Sequence, residues 1–281
     1  MLLRSLLFVP ADRPERFVKA AASGADAIIL DLEDSVTAER KPFARAAVAQ
    51  WLAGVPETRS FVRVNPQGSG ETERDLDALR AVPPAGIVLP KAQGAGSLAW
   101  LAGLWGGDLL PPVLPIATET PAAIFELGSF RACAAQLAGL SWGAEDLPAA
   151  IGAKASRHAD GSYTPPYELA RSLTLFAAHA AGVAAIDTVY PNIADAQGLA
   201  AYAGRAARDG FNGMLAIHPS QVAIINAAFM PGTDEISAAQ RIVDAFAGQP
   251  GAGALRIDGR MIDAPHLKQA QHILALAGRS V

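Results

Sequence analysis

A single cysteine, Cys133, stands in 281 residues, so no intramolecular disulfide framework can form, and a reducing cytoplasm is the expected compartment. Charge of one sign is equally scarce: a formal net charge of −4 is spread without any run of like charges. The basic footprint that nucleic-acid binding requires is therefore missing. No apolar run approaches the length needed to cross a bilayer, so no membrane partner is expected. The start, "MLLRSLLFVPADRPERF", carries an apolar stretch only from Ser5 to Val9 before charges follow, and reads as mature protein rather than a signal peptide. Five histidines (His158, His179, His218, His266 and His272) show no ligand-like pairing with Cys133, which disfavours a zinc site.

What the chain has in quantity is apolar side chains, 51% of the total, enough for the core of one large barrel or of two ordinary domains. They recur as short Val/Ile/Leu-rich runs, each followed by a longer alanine-rich helical segment. The strand candidates are 5–9, 27–32, 60–65, 86–91, 112–117, 137–143, 184–190 and 213–219. Most are apolar throughout, as strands covered on both faces must be. Eight such units over about 220 residues predict a (β/α)8 barrel for residues 1–231, with an open doubly wound sheet as the alternative. Residues 232–281 break the pattern. They read as an amphipathic helix, a linker, a short hairpin and a last helix, suited to a lid or an oligomer arm.

Charged and polar residues gather at the predicted strand ends: Asp31, Glu33 and Asp34 after the second, Arg63 and Asn65 at the third, Lys91 at the fourth, Glu119 at the fifth, Glu145 and Asp146 at the sixth, His218 at the eighth. In parallel α/β folds the active site forms at the carboxyl ends of the strands, so these side chains should meet at one mouth. Each has a local alternative. Glu119, in "IATETP", could be a first-turn acid of the next helix; Asp146 could cap the helix at "LPAAIGA"; Asp34 and Ser35 could cap theirs. Arg63 lies on a strand otherwise fit for burial, where a guanidinium needs an anion.

These blocks, "RSLLFVPADRPERFVKA", "DAIILDLEDSV", "FVRVN", "IVLPK", "IATET", "GLSWGAEDL", "GMLAIHPSQV" and "GRMIDAPHLKQA", resemble the citrate lyase beta-subunit-like branch of the HpcH/HpaI aldolase superfamily over nearly the whole chain. The resemblance implies a TIM barrel, usually trimeric or a dimer of trimers, that cleaves or forms a carbon–carbon bond in malyl-, citramalyl- or citryl-type thioesters. It implies Mg²⁺, with Mn²⁺ as a substitute, held by Glu119 and Asp146. That donor set suits a hard ion that keeps waters and open positions for a 2-oxoacid. It further implies that Glu33, Asp34 and Arg63 line the site, with Arg63 toward the oxoacid and the enolate oxygen. Arg13 and Lys19 would meet the CoA phosphates, and Pro191, Asn192 and the turn at His218 the rest of that cofactor. Asp263 would be the catalytic acid–base, reaching a neighbouring subunit from the C-terminal arm; its local alternative is a helix N-cap before Ala264-Pro265. Ordinary surface solvation is the alternative for Arg13 and Lys19.

Two other classes compete. Gly94, Gly96 and Ala99 follow the fourth strand at G-x-G-x-x-A spacing, which admits a nucleotide-dependent oxidoreductase. A non-catalytic thioester-binding paralogue, or one acting as a thioesterase, would retain the same fold.

Overall fold

The structure, a computed structural model, describes residues 2–107 and 109–279. All eight predicted strands form: β1 (Ser5–Pro10), β2 (Ala27–Asp31), β3 (Arg59–Arg63), β4 (Gly86–Leu89), β5 (Val113–Pro115), β6 (Gly139–Ser141), β7 (Ala184–Asp187) and β8 (Gly213–Ala216). They run parallel, and their pairing order, β5-β4-β3-β2-β1-β8-β7-β6, leaves β5 and β6 as formal edges. Those edges meet. The Ala138 N–H donates to the Val113 carbonyl and the Ala117 N–H to that of Ser141, both at 2.8 Å, across parallel bridges Val113↔Leu137 and Ile116↔Ser141. The sheet is thus an almost closed barrel rather than an open doubly wound sheet.

The uninterrupted apolar character of the strands has a direct cause, since helices cover the outside while side chains fill the inside. All five residues of β2 are buried. Leu6, Ile29, Phe61, Val88, Leu114, Ile186 and Leu215, one from each of seven strands, fall in a single buried cluster, as the interior of the closed barrel requires. Each such side chain contributes about 1.5–3 kcal/mol of burial. A Cβ on Gly86 would lie 2.2 Å from Phe61 Cε1, so the absent side chain makes room for the ring.

Turn chemistry places the helices. Thr120 caps the helix Pro121–Glu126, its hydroxyl accepting the Ala123 N–H at 3.3 Å with Pro121 in the first turn. Gly182 ends the long helix Pro165–Ala181 in the left-handed conformation, a common helix stop. No helix is long and apolar enough to cross a membrane among the described residues.

The chain divides into two compact units, the first ending at Asn226 and the second beginning at Ala227. In the second, helices Thr233–Ala247 and Ala264–Leu276 pack through Ala239, Ala270 and Leu274. Between them runs an antiparallel hairpin, β9 (Ala254–Ile257) and β10 (Arg260–Asp263). Its two-residue turn, Asp258-Gly259, has φ of 51° and 78°, the positive pair that Asp-Gly turns supply in hairpins.

Candidate active site

The strand ends meet around a cavity of about 440 Å³. Its wall takes Asp31, Asp34 and Arg63 from one side, Glu119, Glu145 and Asp146 from the other, with Phe8, Ile116, Trp142, Val189 and Leu215 as apolar surface. Anions outnumber cations there, and the few cations are shared.

Arg63, at the end of β3, gives Asp31 a two-pronged hydrogen bond, Nε to Oδ1 at 2.6 Å and Nη2 to Oδ2 at 2.7 Å. Its Nη1 lies 2.9 Å from Glu33 Oε2 and 3.7 Å from Asp34 Oδ2, and its guanidinium sits over the Phe8 ring, 4.9 Å from the centroid. Burial disfavours the charged guanidinium, but the surrounding carboxylates outweigh that and raise its pKa. Asp31, only 2% exposed, shows the reciprocal effect: burial pushes its carboxyl up, and Arg63 with the donors from Ser35 and Glu33 brings it below the ordinary value.

The crowded acids of "LDLEDSV" therefore do different work. Asp31 anchors Arg63 and the turn. Lys41 pins the same loop from below, its Nζ donating to the Leu32 and Glu33 carbonyls at 2.7 and 3.1 Å and to Asn65 Oδ1 at 2.7 Å. Glu33, 5% exposed, accepts from Lys91 Nζ at 2.7 Å through Oε1. Its Oε2 faces Arg63 but has no aligned donor. Burial raises its pKa, against the pull of Arg63 and Lys91. Asp34 is open to solvent. Neither Asp34 nor Ser35 caps a helix, because the next helical turn starts after Thr37.

Glu119 precedes the cap Thr120 and turns into the cavity instead of serving that helix. Its Oε2 accepts the Lys91 backbone N–H at 2.5 Å. A Cβ at Gly143 would lie 2.4 Å from Glu119 Cγ and 2.8 Å from Oε1, so glycine here leaves space that the carboxylate occupies. Burial, then Asp146, then Glu33 push the Glu119 carboxyl up to about 8, against the Lys91 N–H and charge. Asp146 is the first residue of the helix Asp146–Ala150, and the cap position belongs to Glu145, whose side chain makes no capping bond. Asp146 instead places Oδ1 3.2 Å from Lys91 Nζ. Glu145 points toward Arg157, 4.0 Å away.

Two neighbouring, partly or wholly buried carboxylates with hard oxygen donors, one held high in pKa by burial and then by the other, fit a divalent cation; Glu33 Oε2 is a further buried acceptor without an aligned donor. Among the described residues no three His, Cys, Asp or Glu side chains converge as a closed ligand set.

The remaining expected residues lie elsewhere. Arg13 and Lys19 are exposed around the first helical turns, with Arg13 Nε 3.9 Å from Asp12. Pro191 and Asn192 are exposed on the loop after β7, and His218 Nδ1 pairs with the Ser220 hydroxyl at 2.7 Å. None of these five belongs to the cavity wall. Asp263, in the second unit, occupies the N-cap of the last helix, and its carboxylate hydrogen-bonds His266 Nδ1. Gly94 serves packing, not phosphate: it has φ of 67°, a Cβ there would meet Ser129 Oγ at 2.2 Å, and Ser129 Oγ already accepts the Ala95 N–H.

The sequence reading assigned no role to Asp187, which ends β7 as the other acids end their strands. It is wholly buried and accepts from Trp142 Nε1 at 2.6 Å, Arg171 Nε at 2.9 Å and the Tyr202 hydroxyl at 3.1 Å. It thereby fixes the Trp142 wall. The predicted strand 184–190 put Asp187 in its middle, so the available signal was a lone acid inside an otherwise mostly apolar run; for Gly143 there was none.

Known proteins resemble this chain along nearly its whole length. A citrate lyase subunit beta-like protein of Mycobacterium tuberculosis is 38% identical over 280 residues, covering 98% of this chain and 95% of its own. The mitochondrial citramalyl-CoA lyase of Homo sapiens is 33% identical over 298 residues, covering 98% and 85%. Among solved structures, CitE from M. tuberculosis in complex with magnesium, acetoacetate and coenzyme A superposes with a TM-score of 0.87 at 37% identity, over 99% of each chain. With residues 4–104 and 106–219 matching the family model, this chain belongs to the HpcH/HpaI aldolase/citrate lyase family and is a carbon–carbon lyase.

Proposed function

We propose that the protein is a Mg²⁺-dependent lyase that cleaves a 3-hydroxyacyl-CoA of the malyl, citramalyl or citryl kind into an acyl-CoA and a 2-oxoacid, or joins them in reverse. The observation that carries this reading is the pairing of Glu119 with Asp146 in a cavity that also presents Arg63. The bound magnesium, acetoacetate and coenzyme A of the M. tuberculosis relative support it.

In cleavage the 3-hydroxyl gives up its proton to solvent water, the bond between C2 and C3 breaks, and the alkoxide becomes the carbonyl of the 2-oxoacid. The electron pair passes to the thioester as an enolate, which must take a proton on carbon. Mg²⁺ on Glu119 and Asp146 would supply charge stabilisation to the oxygen that is alkoxide on one side and carbonyl on the other. Arg63, locked in direction by Asp31, presents a fixed guanidinium edge to the oxoacid carboxylate and the enolate oxygen. Glu33 and Asp34 balance that charge and hold the edge in place. Arg13, Lys19, Pro191 and Asn192, outside the cavity, are the proposed contacts of the CoA moiety, too far from the breaking bond to take part in it. Asp263 is the proposed proton donor to the enolate carbon. It acts from the arm of a neighbouring subunit in a homotrimer or a dimer of trimers, and its carboxylate is held at the start of the last helix by His266 Nδ1.

The test is a panel assay of purified protein on malyl-, citramalyl-, methylmalyl- and citryl-CoA, reading released 2-oxoacid and free CoA separately. One substrate should yield oxoacid in a reaction that chelator stops and Mg²⁺ restores, and that Glu119→Ala and Asp146→Ala abolish in folded protein. Full activity in excess chelator, or in either variant, would remove the metal assignment. Acyl-CoA binding without turnover would make the protein a thioester-binding module, and free CoA without oxoacid a thioesterase.

A further inference from the structure

Lys91 touches more of the acidic mouth than any role above accounts for. It follows β4 and has φ of 53°, left-handed backbone at a residue that is neither glycine nor asparagine. That conformation is unfavourable for an L-residue and persists where the surroundings over-determine it. Here both ends of the residue are engaged. The backbone N–H donates to Glu119 Oε2 at 2.5 Å; the ammonium donates to Glu33 Oε1 at 2.7 Å and lies 3.2 Å from Asp146 Oδ1. One residue therefore ties together acids delivered by the loops after β2, β5 and β6.

The two ends act in opposite senses on a cation. The N–H orients Glu119 whatever the side chain is. The ammonium places a full positive charge on Asp146, one of the two carboxylates assigned to the ion. A divalent ion on that carboxylate would sit within about 5 Å of the ammonium, where even water-like screening gives a repulsion worth about tenfold in affinity. Electrostatic repulsion, or the need to displace the ammonium from Asp146, has the same sign.

Resting on the metal reading above, the geometry points to Lys91 as a positioning residue of the metal site: its N–H fixes Glu119, its ammonium holds Glu33, and that ammonium competes with the divalent ion for Asp146. The site is then tuned to hold its ion less tightly than its carboxylates alone would, with Lys91 keeping them in place when the ion is absent.

The experiment is Mn²⁺ binding at pH 9, followed by the loss of the free-ion electron paramagnetic resonance signal, without substrate. Wild type, Lys91→Met, Lys91→Arg and Glu119→Gln are compared, each checked for native circular dichroism and melting. Lys91→Met keeps the N–H and a similar stem but loses the charge, so its dissociation constant should fall about tenfold. Lys91→Arg, which restores a cation, should stay within about threefold of wild type. Folded Lys91→Met protein that binds Mn²⁺ no more tightly than wild type, or more weakly, overturns the competition; equal tightening in Lys91→Arg overturns the role of charge. If wild type binds no Mn²⁺, or Glu119→Gln binds it as well as wild type, the metal reading itself fails, an outcome distinct from failure of the Lys91 inference. If the Lys91→Met chain does not fold, Lys91→Gln carries the same comparison.

Discussion

Glu119 offers the most direct physical handle on the site. In an unfolded chain a glutamate titrates near 4.3, whereas burial and then Asp146 and Glu33 push this one up to about 8. Between those values the native state binds more protons than the unfolded one. The contribution of Glu119 to the stability of the metal-free protein is thus fully present below about 4.3 and is lost as pH rises through about 8, by up to ~1.4 kcal/mol per pH unit. From pH 6 to pH 8.5 the loss should reach about 2–3 kcal/mol, or about 5–10 °C of melting temperature. Saturating Mg²⁺ should reverse it, because the ion takes the ionised carboxylate. The same proton opposes the ion: apparent Mg²⁺ affinity should weaken about 25-fold between pH 8.5 and pH 6.5. Thermal melts with and without Mg²⁺, and calorimetric titrations at the two pH values, read both effects, with Glu119→Gln as the control. An affinity that changes less than about threefold over that range, or a pH slope of stability that survives unchanged in Glu119→Gln, would refute the reasoning.

Gly143→Ala should leave the barrel folded at a cost of about 1–3 kcal/mol yet weaken Mg²⁺ binding severalfold, because its Cβ would stand 2.4 Å from Glu119 Cγ; calorimetry with wild-type affinity would show that Glu119 moves freely. Arg13→Ala or Lys19→Ala should raise KM for the thioester with a smaller effect on kcat, since those contacts serve ground and transition states alike; unchanged KM in both makes them ordinary surface residues. Asp263→Ala and Arg63→Ala proteins, each inactive, should regain activity when mixed under subunit-exchanging conditions, one supplying the arm and the other the mouth. If Asp263 only caps its helix, its variant loses about 1 kcal/mol of stability and stays active. An inactive variant never rescued in verified mixed oligomers would put the arm over its own barrel.

The sequence alone determined the eight strands, because side chains covered on both faces must be apolar wherever the chain runs through the barrel wall, and a run such as Ala27–Asp31 has no other home. It also determined that charge belongs at the strand ends, since only there can Arg63 or Glu119 leave that wall without losing all solvation. The hairpin in the C-terminal segment was legible from its pattern, and the structure puts its turn at Asp258-Gly259, where few residues accept positive φ. Closure was not legible, because it rests on backbone hydrogen bonds between β5 and β6 that carry no side-chain signature. Nor was the division of labour among the acids. "LDLEDSV" reads as three equivalent carboxylates until β3 brings Arg63 against Asp31 and β4 brings Lys91 against Glu33. The local capping signals at Asp34 and Asp146 were equally good in sequence and are not used. Tertiary structure decides such cases because a carboxylate goes to the strongest available partner, and at this mouth the partners come from strands far apart in the chain.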